Sequence, residues 1–153
     1  MKGNWVQDWG KSVIILSGGF DPIHKGHLRM FREASWLGHH VIVGLNSDEW
    51  LTRKKGKPFM EFEERKEIIE GFKYVNKVIS FNDDDGTAIN AIERVNSMYS
   101  SDYTFYFANG GDRTTDNVPE MDICKELGIA MLWGVGGGKI QSSSWLTSGG
   151  KDE

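Results

Sequence analysis

Apolar residues along the chain fall into two alternating kinds of segment. Short runs rich in β-branched and aromatic residues, typical of buried strands, cover 13–16, 41–45, 78–81, 103–107 and 129–133. Between these runs, apolar residues recur at helical spacing over 28–37, 62–72, 88–98 and 121–127. Near-continuous apolar strands separated by amphipathic helices indicate a parallel sheet covered on both faces. We therefore predict an α/β fold, a Rossmann-like three-layer sandwich with a central five-stranded parallel sheet.

Length and composition narrow the class of protein. The 153 residues suffice for one domain, which we expect to span 1–153, with 1–11 as an N-terminal extension and 148–153 as a flexible tail. The net charge of −4 argues against a nucleic-acid partner. Cys124 is the single cysteine, so no intrachain disulfide forms and a reducing compartment is indicated. No apolar run of membrane-spanning length and no secretory leader is visible, so we expect a cytoplasmic protein without a membrane partner.

The turn after the first predicted strand carries the strongest chemical signal. Residues 18–27 read Gly-Gly-Phe-Asp-Pro-Ile-His-Lys-Gly-His and lead into the first helical pattern. A strand, a glycine turn and a helix start direct free N–H groups and a positive helix end at one point, which favours phosphate binding. His24 and His27 add two imidazoles that can donate to developing negative charge, and Gly26 permits close backbone approach. A zinc site formed with Asp21 is the alternative, although no other His or Cys cluster offers a fourth ligand.

Further polar segments follow the other strands, at the edge where ligands bind in such sheets. Residues 53–57 place four cations within five positions, which indicates either a solvated face or a flexible loop that closes over phosphates. The Asn-Gly-Gly-Asp-Arg turn at 109–113 would let a base or ribose approach closely, or is a turn without a ligand. The serines at 142–144 can cap a short helix or bind phosphate. The acidic run 83–85 is predicted to start the next helix rather than to bind a metal.

Taken together, these motifs resemble the (H/T)xGH nucleotidyltransferases, a cytidylyltransferase-like family that includes heptose-1-phosphate adenylyltransferases and glycerol-3-phosphate cytidylyltransferases. The resemblance covers most of the chain. It rests on five segments in the order and roughly the spacing of that family: His24-Lys25-Gly26-His27, Asn46-Ser47-Asp48, Lys55-Gly56-Lys57-Pro58 with Glu63-Glu64-Arg65, Asn109-Gly110-Gly111-Asp112, and Ser142-Ser143-Ser144.

The resemblance implies a reaction and its participants. A nucleoside monophosphate would pass from ATP or CTP to a phosphorylated sugar or polyol, with release of pyrophosphate and with Mg²⁺ accompanying the triphosphate. We expect a homodimer. A coenzyme-type adenylyltransferase acting on phosphopantetheine or a mononucleotide is one alternative, and a nucleotide-binding protein without turnover is another.

The same resemblance assigns roles to residues of this chain. The expected catalytic residues are His24, His27 and Lys55. The expected nucleotide-binding residues are Gly18, Gly19, Phe20, Gly26, Gly110, Gly111, Asp112, Ser142, Ser143 and Ser144. The expected acceptor-binding residues are Asp21, Lys57, Arg65 and Arg113, and no side chain is assigned to a metal.

Overall fold

A computed structural model describes residues 11–38, 40–110, 118–138 and 140–142. The strands are β1 (Ser12–Gly18), β2 (His40–Leu45), β3 (Lys77–Ile79), β4 (Thr104–Gly110), β5 (Ala130–Val135) and β6 (Gln141–Ser142). The helices are α1 (Lys25–Leu37), α2 (Asp48–Lys55), α3 (Phe62–Glu70), α4 (Ile89–Met98) and α5 (Met121–Leu127). None of the helices within these ranges is long and apolar enough to cross a membrane.

The strands form one sheet in the order β3-β2-β1-β4-β5-β6. The pairs from β3 to β5 are parallel, which confirms the predicted five-stranded Rossmann-like sheet. The sixth strand was not predicted: β6 pairs antiparallel with β5, with Ser142 opposite Leu132. The chain reverses between these strands at a glycine-rich turn, where Gly136 and Gly138 have φ values of +95° and +82°. A two-residue strand is too short to give a hydrophobic pattern.

Two apolar clusters, one on each face of the sheet, make up the core. Alternate residues of β1 point in opposite directions, so Ile14 and Leu16 belong to the cluster that includes Phe31 of α1. Val13 and Ile15 belong to the other cluster, which includes α4 residues. All four of these β1 side chains are fully buried. The sheet is therefore covered on both faces, as the apolar strands predicted.

Helix α2 corrects the prediction of a loop over 53–57. Ser47 caps the helix, because its Oγ accepts a hydrogen bond from the Trp50 backbone N–H at 3.0 Å. Acidic residues occupy the first turn and Arg53, Lys54 and Lys55 the last turn, an arrangement that complements the helix dipole. Gly56, with φ +97°, ends the helix. Three of the four cations of the predicted loop therefore project from a helix, and only one lies beyond it.

The prediction that residues 83–85 start a helix is also wrong. Helix α4 begins at Ile89, and residues 82–88 form the irregular connection from β3. Asp83 is 2% exposed in this connection. Its carboxylate accepts hydrogen bonds from Asn46 and Ser47, which follow β2. An acidic run next to a helical pattern gives no sign of such a distant partner.

Candidate active site

The start of α1 orders the two histidines through a reciprocal cap. Residue His24 is the N-cap, and its Nδ1 accepts a hydrogen bond from the Gly26 backbone N–H at 3.0 Å. In return, Nδ1 of His27 accepts from the His24 backbone N–H at 3.1 Å. The two rings stack with their centroids 3.9 Å apart. The His-x-Gly-His spacing thus places both imidazoles side by side on the first turn of the helix.

These caps fix which ring nitrogens can act on a ligand. Because Nδ1 of each ring accepts a backbone N–H, a neutral ring carries its proton on Nε2. Burial, and then the neighbouring His24, lowers the pKa of His27 to about 4, so His27 is neutral at pH 7. The Nε2 atoms make no hydrogen bond within the described part of the chain. Both rings can therefore present an N–H donor to an anion.

Phe20 packs against this pair of rings, and the nucleotide-binding role expected of it stays a prediction. Its side chain is 6% exposed, and its ring meets the His27 ring edge-on at 4.9 Å between centroids. Its backbone φ of +48° lies in the left-handed region that residues other than glycine rarely adopt. Gly18 leaves room for the ring, because a Cβ there would lie 3.0 Å from Phe20 Cζ. The glycine therefore serves packing of the turn.

A cavity of about 280 Å³ gathers the three residues predicted to be catalytic. His24 and His27 form one side of it, and Lys55 comes from the end of α2. The remaining lining residues are Gly19, Phe20, Asp21, Pro22, Trp50, Leu51 and Lys54. At Gly19, a Cβ would approach Leu51 Cδ2 to 2.8 Å, so an added side chain there would require the Leu51 side chain to shift. We call this space the histidine cavity.

The Asp21 carboxylate is occupied by partners within the protein, in contrast to its predicted acceptor-binding role. Its side chain is 1% exposed, and Oδ2 lies 2.7 Å from Lys55 Nζ. The carboxylate also accepts the backbone N–H groups of Phe59 and Met60 at 2.6 and 2.7 Å. Burial works to raise the pKa of the Asp21 carboxyl, but these hydrogen bonds outweigh it and hold the pKa below its ordinary value. With its partners in the protein, Asp21 is also poorly placed for the zinc site considered above.

Lys55 and Lys57 differ in their placement. The Lys55 ammonium donates to the Asp21 carbonyl oxygen at 2.7 Å in addition to its carboxylate contact, and its side chain is 35% exposed. An ammonium has three donors, so one remains for a ligand in the histidine cavity. Lys57 is exposed beyond the end of α2 and does not line the histidine cavity.

Arg65 lies beneath the site, which corrects the expectation that it faces the acceptor. The residue is 1% exposed, and its Nη1 donates to the carbonyl oxygens of Gly19 and Asn46 at 3.0 and 2.9 Å. Nη2 lies 2.6 Å from Asp48 Oδ1, and Nε donates to the Met60 carbonyl oxygen at 2.9 Å. The guanidinium therefore joins the glycine turn, the end of β2, the start of α2 and the segment before α3. Its position on a helix of mixed polarity gave no sign of this burial.

A second cavity of about 380 Å³ adjoins the first and was missed by the sequence analysis. It shares Trp50 and Lys54 with the histidine cavity, and the Lys54 ammonium lies 4.8 Å from the centroid of the Trp50 ring. The other lining residues are Ser17, Gly18, Asn46, Gly86, Thr87, Ala88 and Glu120. Glu120 is 2% exposed, and its carboxylate accepts the Ala88 backbone N–H at 2.7 Å. We call this space the Glu120 cavity.

The later motifs are described only in part. Gly110 ends β4 at the same edge as the cavities, next to Asn109, whose Nδ2 donates to the Leu132 carbonyl oxygen at 3.2 Å. Ser142 belongs to β6, not to a helix start, and its strand runs back from the end of β5. The prediction of a helix start is therefore wrong at Ser142, and its nucleotide contact stays a prediction. The remaining predicted residues, Gly111, Asp112, Arg113, Ser143 and Ser144, lie outside the described residues.

A parallel sheet with a His-x-Gly-His helix start at its carboxyl edge is typical of one class of protein, the α/β nucleotidyltransferases. A family model described as cytidylyltransferase-like matches residues 15–135. The chain belongs to this cytidylyltransferase-like family, as its motifs predicted.

Individual relatives differ from one another in name. Bifunctional protein HldE of Geobacter sulfurreducens is 31% identical over 121 residues, which are 78% of this chain and 23% of that protein. A probable ethanolamine-phosphate cytidylyltransferase of Encephalitozoon cuniculi is 42% identical over 66 residues, 43% of this chain and 20% of that protein. The matched part is thus no more than about a quarter of the length of either relative.

One solved structure agrees in fold. The lipopolysaccharide core biosynthesis protein from Thermoplasma volcanium GSS1 superposes with a TM-score of 0.59 and 20% sequence identity. The match covers 76% of this chain and 85% of that chain. It supports the architecture of the sheet and helices described above.

Proposed function

We propose that this chain transfers a nucleoside monophosphate from a nucleoside triphosphate to a phosphorylated sugar or polyol and releases pyrophosphate. The observation that carries the proposal is the histidine cavity. Two imidazoles, each with its Nδ1 held by the backbone, present Nε2 donors in the cavity that also contains the Lys55 ammonium. Such fixed donors stabilise charge that develops on phosphate oxygens without needing to reorganise.

The chemistry needs no protein nucleophile. A phosphate oxygen of the acceptor attacks the α-phosphorus, the new P–O bond forms, and the bond to the β-phosphate breaks with its electrons on the leaving pyrophosphate. His24 and His27 donate to α- and β-phosphate oxygens as this charge grows, and Lys55 neutralises the outer phosphates. Cys124 has no part in this reaction: it is fully buried, and burial, then Glu120, raises its pKa to about 12.

The acceptor is proposed to occupy the Glu120 cavity. This space shares two lining residues with the histidine cavity, and its own lining includes both a cation, Lys54, and a carboxylate, Glu120. Its volume of about 380 Å³ suits a sugar phosphate or polyol phosphate. The name of the ethanolamine-phosphate relative makes an amino alcohol phosphate the first competing acceptor to test.

ATP is proposed as the nucleotide, with CTP as the alternative. The Asn-Gly-Gly-Asp sequence at 109–112 resembles the adenylyl branch of the family more than the Gly-Asp-Asp pattern of the cytidylyl branch. Mg²⁺ is proposed to enter with the triphosphate. Among the described residues no group of three or more His, Cys, Asp or Glu side chains could hold a metal, so the phosphate oxygens themselves are the expected main ligands. The homodimer and the cytoplasmic location remain predictions.

Pyrophosphate release from each of the four nucleoside triphosphates tests the function. The acceptors should include a sugar 1-phosphate, glycerol 3-phosphate, phosphoethanolamine, phosphopantetheine and nicotinamide mononucleotide, all with Mg²⁺. We expect acceptor-dependent release with ATP and a sugar or polyol phosphate. CTP-dependent release would overturn the nucleotide assignment, and activity only with the last two acceptors would favour the coenzyme-type reaction. Tight nucleotide binding without release for any pair would identify a binding protein instead.

A further inference from the structure

We propose that Asp83 is a positioning residue that holds helix α2 against the sheet. In doing so it positions Lys54 and Lys55, which we call the cationic wall of the two cavities. The proposed function assigns the lysines of that wall to phosphate binding, and the inference rests on it only for the effect on ligands. The carboxylate accepts three hydrogen bonds: Oδ2 from the Ser47 N–H at 2.8 Å and Asn46 Nδ2 at 3.0 Å, and Oδ1 from Ser47 Oγ at 2.8 Å. These bonds join the connection after β3 to the N-cap of α2.

The far end of the same helix returns to the same residue. Arg53, in the last turn of α2, donates from Nη2 to the Asp83 backbone carbonyl oxygen at 2.8 Å. Asp83 therefore anchors α2 through Asn46 and Ser47, the two residues that precede it, and through its last turn. Two attachments at opposite ends of a short helix restrict its rotation and its distance from the sheet, which one attachment would not.

The need for this anchor follows from the packing of α2. Leu51 is the only residue of the helix that is buried, so apolar contacts alone give it little fixed orientation. Yet α2 supplies Trp50 and Lys54 to both cavities and Lys55 to the histidine cavity. The positions of these side chains therefore also depend on polar contacts, which Asp83, Arg65 and Asp21 supply.

The chemistry at Asp83 distinguishes a carboxylate from its amide. Within the described residues no cation lies close enough to form an ion pair with the carboxylate; Arg53 reaches only the backbone. A buried carboxylate in this setting depends on its neutral donors. In Asp83→Asn, one acceptor oxygen becomes an NH₂ group, which faces either the N–H donors of Ser47 and Asn46 or the Ser47 hydroxyl, whose own proton then loses its acceptor. The substitution keeps the shape and breaks part of the clamp.

Binding of inorganic tripolyphosphate, measured by calorimetry, tests the effect on ligands without requiring turnover. We expect Asp83→Asn to weaken this binding about tenfold, while Asp84→Asn, at an exposed neighbouring aspartate, leaves it within twofold. The double variant Asp83→Asn/Lys55→Ala should bind tripolyphosphate with an affinity within about twofold of that of Lys55→Ala alone. Little is left to lose in the double variant, because Asp83 acts through α2. Unchanged binding in Asp83→Asn, or fully additive losses, would overturn the proposal.

Amide hydrogen exchange tests the clamp itself and does not depend on the function. Asp83→Asn should speed exchange in α2, including the Trp50 amide that donates to Ser47, and leave the first turn of α1 unchanged. Arg53→Gln, which removes only the far attachment, should loosen the last turn of α2 selectively and serves if Asp83→Asn does not fold. Faster exchange in α2 with no tripolyphosphate binding by the wild type would retain the clamp and reject the proposed function. Exchange that is unchanged in α2, or equally fast everywhere, would reject the clamp.

Discussion

The starts of helices α1 and α2 lie after neighbouring strands and use their caps in opposite ways. At α1, the caps are the Nδ1 atoms of His24 and His27, which leaves a second nitrogen of each ring for a ligand. At α2, the cap is the hydroxyl of Ser47, which is itself bound by the buried Asp83 carboxylate. The α1 start offers donors, and the α2 start is closed within the protein. A helix N-terminus can act on a ligand when its capping side chains keep a hydrogen-bond donor that the protein does not use. The free backbone amides alone do not distinguish the start of α1 from the start of α2.

The largest effect is expected at the α1 caps. His24→Asn keeps an oxygen that can accept the Gly26 N–H but removes the outward Nε2 donor. We expect kcat to fall by about a hundredfold or more, with the affinity for the nucleotide and the unfolding free energy nearly unchanged. Steady-state kinetics with denaturant unfolding measure both. His27→Ala should lose turnover similarly but also destabilise the helix start, and full activity in either variant would contradict the role given to these rings.

A smaller effect is expected at the end of α2. Lys55→Ala should weaken binding of the triphosphate about tenfold and that of the monophosphate about twofold, because the lost ammonium is proposed to contact the outer phosphates. Calorimetry of the ATP and AMP pair, and of CTP and CMP, measures this difference. Lys57→Ala is the matched control, since Lys57 is exposed and lines neither cavity. Equal weakening for triphosphate and monophosphate would indicate that the cations of α2 form a solvated face and do not contact the outer phosphates.

The smallest effect concerns stability against pH. His27 has a pKa of about 4 in the folded protein and an ordinary value of 6.5, so the unfolded chain binds the extra proton between these values. Stability should therefore fall as the pH drops from about 6.5 towards 4, and this contribution should stay at its low level below pH 4. Since the ring is partly exposed, solvent screening limits the loss at pH 5 to about 1 kcal/mol. Denaturant unfolding at pH 7 and pH 5 should show a smaller difference for His27→Gln than for the wild type.

The parallel sheet and the histidine pair were predictable because their signals are local. Apolar β-branched runs mark strands wherever they pack, and the spacing of His24 and His27 needs only one turn of helix. Helix α2 was missed because a short helix with one buried residue gives almost no periodicity, and the charge run around Gly56 is typical of a loop. Its Ser-Asp-Glu start was the available signal.

The supporting residues were not predictable for a different reason. The burial of Arg65 and Asp83 depends on carbonyl groups and donors that lie well apart from them in the sequence, as do the three contacts that turn Asp21 inward. A single sequence shows which side chains carry chemistry but not which polar groups the fold places opposite them. Asp21 and Arg65 were expected to contact the acceptor, but both side chains bind groups of the protein beside the site.

The central position of β1 has a consequence for how the chain must be made. This strand pairs with β2 on one side and with β4 on the other, and β4 is synthesised much later. Until Thr104 and its successors emerge, β1 carries an unpaired edge along a wholly apolar stretch, Val13 to Leu16. Such an edge is a template for pairing with another nascent chain. We expect fragments that stop before β4 to aggregate, so expression conditions that favour uninterrupted synthesis should raise the soluble yield.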